Sequence, residues 1–82
     1  MNLFVANIHN SVNEEALKAL FSEFGEVVSA RIMTDKLSGY SRGFGFIEMK
    51  NDHQGQEAIN KLSHAEFFGK KLVVSKARPK SY

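Results

Sequence analysis

The stretch that decides the fold is RGFGFIEM, residues 42–49. Read as a β-strand, it divides into two faces, because successive side chains of a strand point to opposite sides of the sheet. One face carries Arg42, Phe44, Phe46 and Glu48, and the other carries Gly43, Gly45, Ile47 and Met49. The aromatic rings therefore lie with the charges, and the glycines lie with the aliphatic side chains. Which face is buried decides what the other face is for.

Patterns on both sides of this stretch predict two helices and three more strands. β-rich runs predict strands at residues 2–7, 26–35 and 70–77, with a loop at 36–41 and a turn at Gly69. The first helix begins at a capping box, SVNE at 11–14, and Gly25 is expected to cap its end. Its apolar face is Leu17, Leu20, Phe21 and Phe24. Asn51 or Asp52 caps the second helix, whose inner face is Gly55, Ala58, Ile59 and Leu62.

The order strand, helix, strand, strand, helix, strand predicts an α+β fold, the ferredoxin-like βαββαβ sandwich. Its sheet is antiparallel with four strands, and both helices cover the same face because crossovers between parallel strands are right-handed. The other face stays open to water. The predicted domain spans residues 1–78, and residues 79–82 form a short tail that begins at Pro79.

Glycines favour burial of the Ile47 face. Gly43 and Gly45 would let the helices press closely on the sheet, as Gly55 would from the helix side, whereas glycines facing water gain nothing there. This choice leaves Phe44 and Phe46 on the open face, where each forfeits about 1.5–3 kcal/mol of burial. A platform on which nucleobases stack would explain that exposure.

Composition narrows the class of protein. The chain has 82 residues, a net charge of +2 and no Cys, which suits one small domain without disulfides or thiolate metal sites. His9, His53 and His64 lack ligand spacing, so neither a metal nor a cofactor is predicted. The sequence shows no signal peptide and no apolar run long enough to span a membrane, which favours the cytoplasm and no membrane partner.

Charge is distributed unevenly along the chain. After Glu66 there is no acidic residue, and five basic residues follow: Lys70, Lys71, Lys76, Arg78 and Lys80. A basic C-terminal segment is typical of a protein with a polyanionic partner, although a solvated strand end would look the same.

Two motifs resemble those of the RNA recognition motif family. LFVANI at 3–8 and RGFGFIEM at 42–49 are similar to its hexamer and octamer, and the octamer pattern is K/R-G-F/Y-G/A-F-V-x-F/Y. Ile47 is a conservative change, and Met49 departs from the final aromatic residue at an inward position. The resemblance covers nearly the whole chain. It is to short bacterial proteins with one such domain and to the domain of glycine-rich RNA-binding proteins.

The resemblance implies a role for each matching position. Phe4 and Phe46 would each stack a base, Phe44 would lie between sugars or beside a base, and Arg42 would hold a phosphate. The last strand and its continuation would clamp the nucleic acid, and the first strand would border it. The residues implied there are Asn2, Ser75, Lys76, Ala77 and Arg78. The expected partner is single-stranded RNA, and single-stranded DNA as well, bound by a monomer.

Two other functions remain open at this point. The aromatic face could grip a peptide, or the fold could belong to a small enzyme such as an acylphosphatase. The second needs a phosphate-binding loop with a placed Arg, and HNSV at 9–12 has none, so no enzyme is predicted. Phe67 and Phe68 are expected to pack under a hairpin, and Tyr40 and His9 receive no firm role.

Overall fold

The structure is a computed structural model that describes residues 1–35, 37–39 and 41–77, with the backbone alone for residues 41 and 42. It contains two helices, α1 (Glu14–Ser22) and α2 (Asp52–Leu62). The strands are β1 (Asn2–Ala6), β2 (Val27–Thr34), β3 (Ser41–Met49), β4 (Glu66–Phe67), β5 (Lys70–Lys71) and β6 (Val73–Lys76). The predicted order of main elements is confirmed.

Four strands form one antiparallel sheet in the order β2-β3-β1-β6. The two motif strands, β1 and β3, are therefore the central neighbours. Side chains of both helices share one core cluster with the inward side chains of the sheet, so both helices cover the same face. The core includes Leu3, Val5, Leu17, Phe21, Ile47, Met49, Ala58, Leu62, Leu72 and Val74.

Helix α1 begins later than the capping box predicted. The cap is Asn13, whose side chain accepts a hydrogen bond from the Ala16 backbone, and not Ser11. Glu14 does not close a box, because its Oε2 accepts from the Ile32 backbone N–H at 2.9 Å. That bond ties the start of α1 to β2.

Gly25 does not cap the end of α1, contrary to the prediction. The helix ends at Ser22 with Glu23 as its C-cap, and Gly25 is not among the glycines with positive φ. A Cβ at Gly25 would overlap the side chain of Gln54, so the absence of a side chain lets the α1–β2 connection approach α2. Asn51 caps α2 as predicted, and Gly55 allows close contact with Met1, which precedes β1.

The predicted last strand, residues 70–77, is split in two. Lys70 and Lys71 pair with β4 in a hairpin, and only Val73–Lys76 pair with β1. The break is at Leu72, which is buried and whose backbone N–H bonds to the Ala65 carbonyl at 2.9 Å. The Leu72 backbone N–H is therefore paired next to the β4–β5 hairpin and not with β1.

The turn between β4 and β5 places Phe68 in solvent. Phe68 and Gly69 have φ of 54° and 82°, as a type I′ hairpin turn requires. Phe67 packs against the core as predicted, but the prediction for Phe68 is wrong, because Phe68 is 51% exposed at the tip of the turn.

Candidate nucleic-acid interface

Three phenylalanines meet on the open face of the two central strands. The strand register sets Phe4 opposite Phe46, and Ala6 opposite Phe44. The ring centroid of Phe4 lies 5.9 Å from that of Phe44 and 5.5 Å from that of Phe46. Phe46 is 38% exposed, whereas Phe4 and Phe44 are half-buried. We call Phe4, Phe44 and Phe46 the phenylalanine platform.

The rings of the platform are not coplanar. Phe4 is tilted by 38° to Phe44 and by 57° to Phe46, and Phe44 and Phe46 meet edge to face at 90°. Such tilted contacts are the favourable geometry for aromatic pairs, because ring edges are positive and ring faces are negative. Each ring therefore offers its own surface to a flat ligand, and the platform suits several separate bases better than one large planar molecule.

The glycines of β3 lie on the buried face as predicted, but they are needed there for a different reason than helix packing. Gly43 has φ of 82°, which an L side chain rarely adopts. A Cβ on Gly45 would overlap the carbonyl oxygen of Arg31 on the neighbouring strand. The glycines thus serve strand geometry and the close approach of β2, and not the packing of helices on the sheet.

Polar side chains flank the platform along the register. Arg31 on β2 lies opposite Phe46, and Ser75 on β6 lies opposite Phe4. One row further along, Ser29 and Asn2 both lie opposite Glu48, on either side of β3. The open face therefore combines a ring cluster with donors on both sides and one carboxylate.

A depression of about 320 Å³ lies in this second row. Its lining includes Asn2, Ser29, Arg31, Phe46, Glu48 and Ala77. That volume is at the low end for small-ligand pockets, and its walls combine an apolar ring with polar and charged groups. The shape and lining of the depression suit a planar group that carries hydrogen-bonding atoms at its edge.

The predicted site residues divide into three groups. Asn2, Phe4, Phe44, Phe46, Ser75 and Ala77 lie together on the open face, by register or as lining of the depression. Lys76 does not join them, because it lies opposite Leu3 and strand alternation therefore directs it to the helix side of the edge strand, where it is exposed. The Arg42 side chain and the whole of Arg78 lie outside the described residues, as does Tyr40.

Arg31 and Ser29 also lie on the open face, although the sequence analysis pointed to neither residue. Arg31 is exposed, and within the described part of the chain it forms no ion pair. It is thus a cation available beside the most exposed ring of the platform. Lys70 and Lys71, also exposed, add positive charge on the β4–β5 hairpin.

His9 is engaged near the hairpin and lies off the platform. Its Nδ1 accepts a hydrogen bond from the Ser11 backbone at 3.0 Å, and its ring centroid lies 6.4 Å from that of Phe68.

Among the described residues, no group of three or more His, Cys, Asp or Glu side chains is placed to hold a metal ion. No helix in the same part of the chain is long and apolar enough to cross a bilayer.

Comparison with known proteins identifies relatives along nearly the whole chain. RbpB of Nostoc sp. is 41% identical over 80 residues, covering 98% of this chain and 78% of the relative. RbpA of Synechocystis sp. is 40% identical over 80 residues, with coverage of 98% and 79%. Both names assign RNA binding provisionally. These cyanobacterial relatives agree with the expected similarity to short bacterial proteins.

Solved structures confirm the predicted fold. The crystal structure of RNA Binding Protein PG1 superimposes with a TM-score of 0.92 at 45% identity, covering 98% of this chain and 99% of that one. A Sex-lethal protein–RNA complex superimposes with a TM-score of 0.90 at 35% identity, covering 98% of this chain and 48% of that one. The model of the RNA recognition motif matches residues 3–73, and the matched family is one of binding domains and not of enzymes. This chain therefore belongs to the RNA recognition motif family.

Proposed function

We propose that this chain is a non-catalytic module that binds single-stranded RNA on the phenylalanine platform. The observation that carries the proposal is the cluster of three rings on the open face of the central strands, with Phe46 38% exposed. Exposed rings forfeit burial energy that a stacked base restores. Stacking of a base on an aromatic side chain contributes about 1–3 kcal/mol and tolerates any base.

Each platform residue has a separate task in this proposal. Phe4 and Phe46 each stack one base, and Phe44 lies between sugars or beside a base. Arg31 holds a phosphate next to Phe46, since its guanidinium is exposed there. For Arg42 and Arg78, contact with phosphate remains a prediction from the family resemblance.

Single strands fit this surface better than duplexes do. In a duplex the faces of the bases are covered by their neighbours, whereas an unpaired base can turn onto a ring. Stacking and phosphate contacts do not require a 2′-OH, so the same site binds single-stranded DNA. Matched RNA and DNA oligonucleotides test this part of the proposal directly.

The relatives support RNA as the partner. RbpB and RbpA are named for RNA binding, and the Sex-lethal structure is a complex with RNA.

We propose further that residues 1–78 form the binding domain and residues 79–82 a tail. The active form is a monomer, and its location is the cytoplasm.

Salt dependence provides the first test. If about three cationic side chains neutralise phosphates, log K falls with log salt at a slope near −2 for a single strand. The measurement is the affinity for a labelled oligouridylate at several ionic strengths. An affinity independent of salt would contradict phosphate binding and favour an apolar peptide on the same rings.

Matched charge variants place the contact on one face. Arg31→Gln is expected to reduce the slope by roughly 0.7, the share of one phosphate contact. Lys18→Gln removes the same charge from the exposed face of helix α1, on the other side of the sheet. This variant should leave the slope unchanged. Equal effects of the two variants would mean that only net charge matters.

A further inference from the structure

A carboxylate lies where the proposed function would place a polyanion. Glu48 is exposed on the open face, two residues after Phe46 on β3 and directly opposite Asn2. It lines the depression beside Phe46. Within the described part of the chain, it forms no hydrogen bond or ion pair through its side chain. Among the described residues of this face, its carboxylate therefore has no bonded or ion-paired partner.

This position is electrostatically unfavourable for a surface that only holds phosphates. The Glu48 carboxylate and a nearby phosphate are both negative and repel each other. The repulsion grows when a bound strand excludes water from between them. A carboxylate is compatible with a bound nucleic acid if it faces a base edge that carries N–H donors. The base edge then supplies the positive ends of dipoles, and the phosphates lie elsewhere.

Only one of the four bases matches both oxygens of a carboxylate on its Watson–Crick edge. An ionised carboxylate accepts hydrogen bonds through two oxygens and donates none. Guanine presents N1–H and the 2-amino group side by side. Adenine and cytosine each present one amino donor beside a ring acceptor, and uracil presents one N–H between two carbonyls. We propose that the depression beside Phe46 selects guanine, read by the Glu48 carboxylate.

The strand geometry permits this reading, which rests on the proposed stacking of a base on Phe46. Side chains two residues apart on one face of a strand are about 6.6–6.8 Å apart, so a base on the Phe46 ring extends toward Glu48. Asn2 lines the same depression and carries an amide donor for the guanine O6. Donors and acceptor thus occur together around the ring that holds the base.

The test compares single-base changes in a uniform strand. A short oligouridylate is compared with the same strand carrying one central guanosine, adenosine, cytidine or inosine, at one ionic strength and by fluorescence anisotropy. One guanosine is expected to strengthen binding on the order of tenfold, the effect of a bidentate contact to a base. Inosine, which lacks the 2-amino group, is expected to recover only part of that gain.

Two variants of equal charge change separate the contact from general electrostatics. Glu48→Gln leaves one acceptor and adds a donor, so the gain from guanosine should be lost. Affinity for oligouridylate should rise, because a charge that repels the phosphates is removed. Glu57→Gln removes the same charge from the exposed side of α2 and should keep the gain. A gain that survives Glu48→Gln overturns the assignment, as does a stronger gain from cytidine or adenosine than from guanosine.

Phe46→Ala distinguishes failure of this inference from failure of the proposed function. If Phe46→Ala weakens binding to oligouridylate but guanosine adds nothing, stacking stands and the guanine site is wrong. If wild-type protein does not bind oligouridylate or guanosine-containing strands, or if Phe46→Ala has no effect on binding, both proposals fall together.

Discussion

Truncation of Ile47 to alanine is expected to lower the free energy of unfolding by about 2–5 kcal/mol. Ile47 is 1% exposed and packs in the cluster beneath the sheet, so its truncation leaves a cavity. A small domain has only about 5–15 kcal/mol of total stability, so this loss is a large part of it. Urea unfolding followed by circular dichroism measures the change.

Phe46→Ala is the matched control, one residue earlier on the same strand. Its ring is 38% exposed and its described ring partners are Phe4 and Phe44, so the stability loss should be about 1–3 kcal/mol, the contribution of two aromatic pair contacts. Should Phe46→Ala unfold the domain while Ile47→Ala leaves it intact, the face assignment is inverted.

The losses of RNA affinity are expected to rank in the opposite order from the losses of stability, large for Phe46→Ala and small for Ile47→Ala. Phe4→Ala and Phe46→Ala should each weaken affinity for single-stranded RNA by about 1–3 kcal/mol, roughly 5- to 150-fold. For Ile47→Ala, any binding loss should follow the unfolded fraction. The two rings are 5.5 Å apart, so the double variant should depart from the sum of the single losses. Titration calorimetry with a short RNA strand gives each value.

An exposed phenylalanine off the platform controls for loss of apolar surface. Phe68 is 51% exposed at the tip of the hairpin, more than Phe46, but it has no place in the central strands. Phe68→Ala should leave affinity within about twofold. A loss equal to that of Phe46→Ala would mean that exposed rings in general, and not the platform, carry the binding.

Much of the fold could be predicted from local patterns. Alternation in residues 42–49 divided the strand into two faces, and the apolar spacing in both helices identified the surfaces that cover the inner one. The glycines pointed to the Ile47 face as the buried one, which is correct, although they do not serve helix packing as predicted. The errors lie where a tertiary contact overrides a local rule. Gly25 leaves room for the side chain of Gln54 and does not cap the helix. The hydrogen bond from Leu72 to Ala65 divides the predicted last strand.

Arg31 and Ser29 were missed because of a β-bulge. The register shifts between Val27 and Ser29, so one residue of β2, Val28, has no partner on β3. Counting alternate residues from buried Val27 would place Ser29 and Arg31 inside, and the extra residue turns them outward. The spacing of Val27 and Ile32, both buried and an odd number of residues apart, was the available signal.

Lys76 lies on the other face of the last strand from Ser75, and its contact with nucleic acid stays a prediction. Its charge and its place in the last strand suggested a phosphate contact, but charge does not determine which face a strand residue occupies. Only the pairing of β6 with β1 establishes that Ser75 faces outward and Lys76 does not. The family resemblance points to the last strand, and the register places Ser75 on its open face.

The most direct test of the account maps the bound strand onto the protein. Amide chemical shifts of the ¹⁵N-labelled chain are recorded while a short single-stranded RNA is added. Stacking on the phenylalanine platform predicts the largest shifts in β1 and β3, around Phe4, Phe44 and Phe46, with smaller shifts at Arg31 on β2. Shifts concentrated on α1 and α2, with the central strands unchanged, would contradict it.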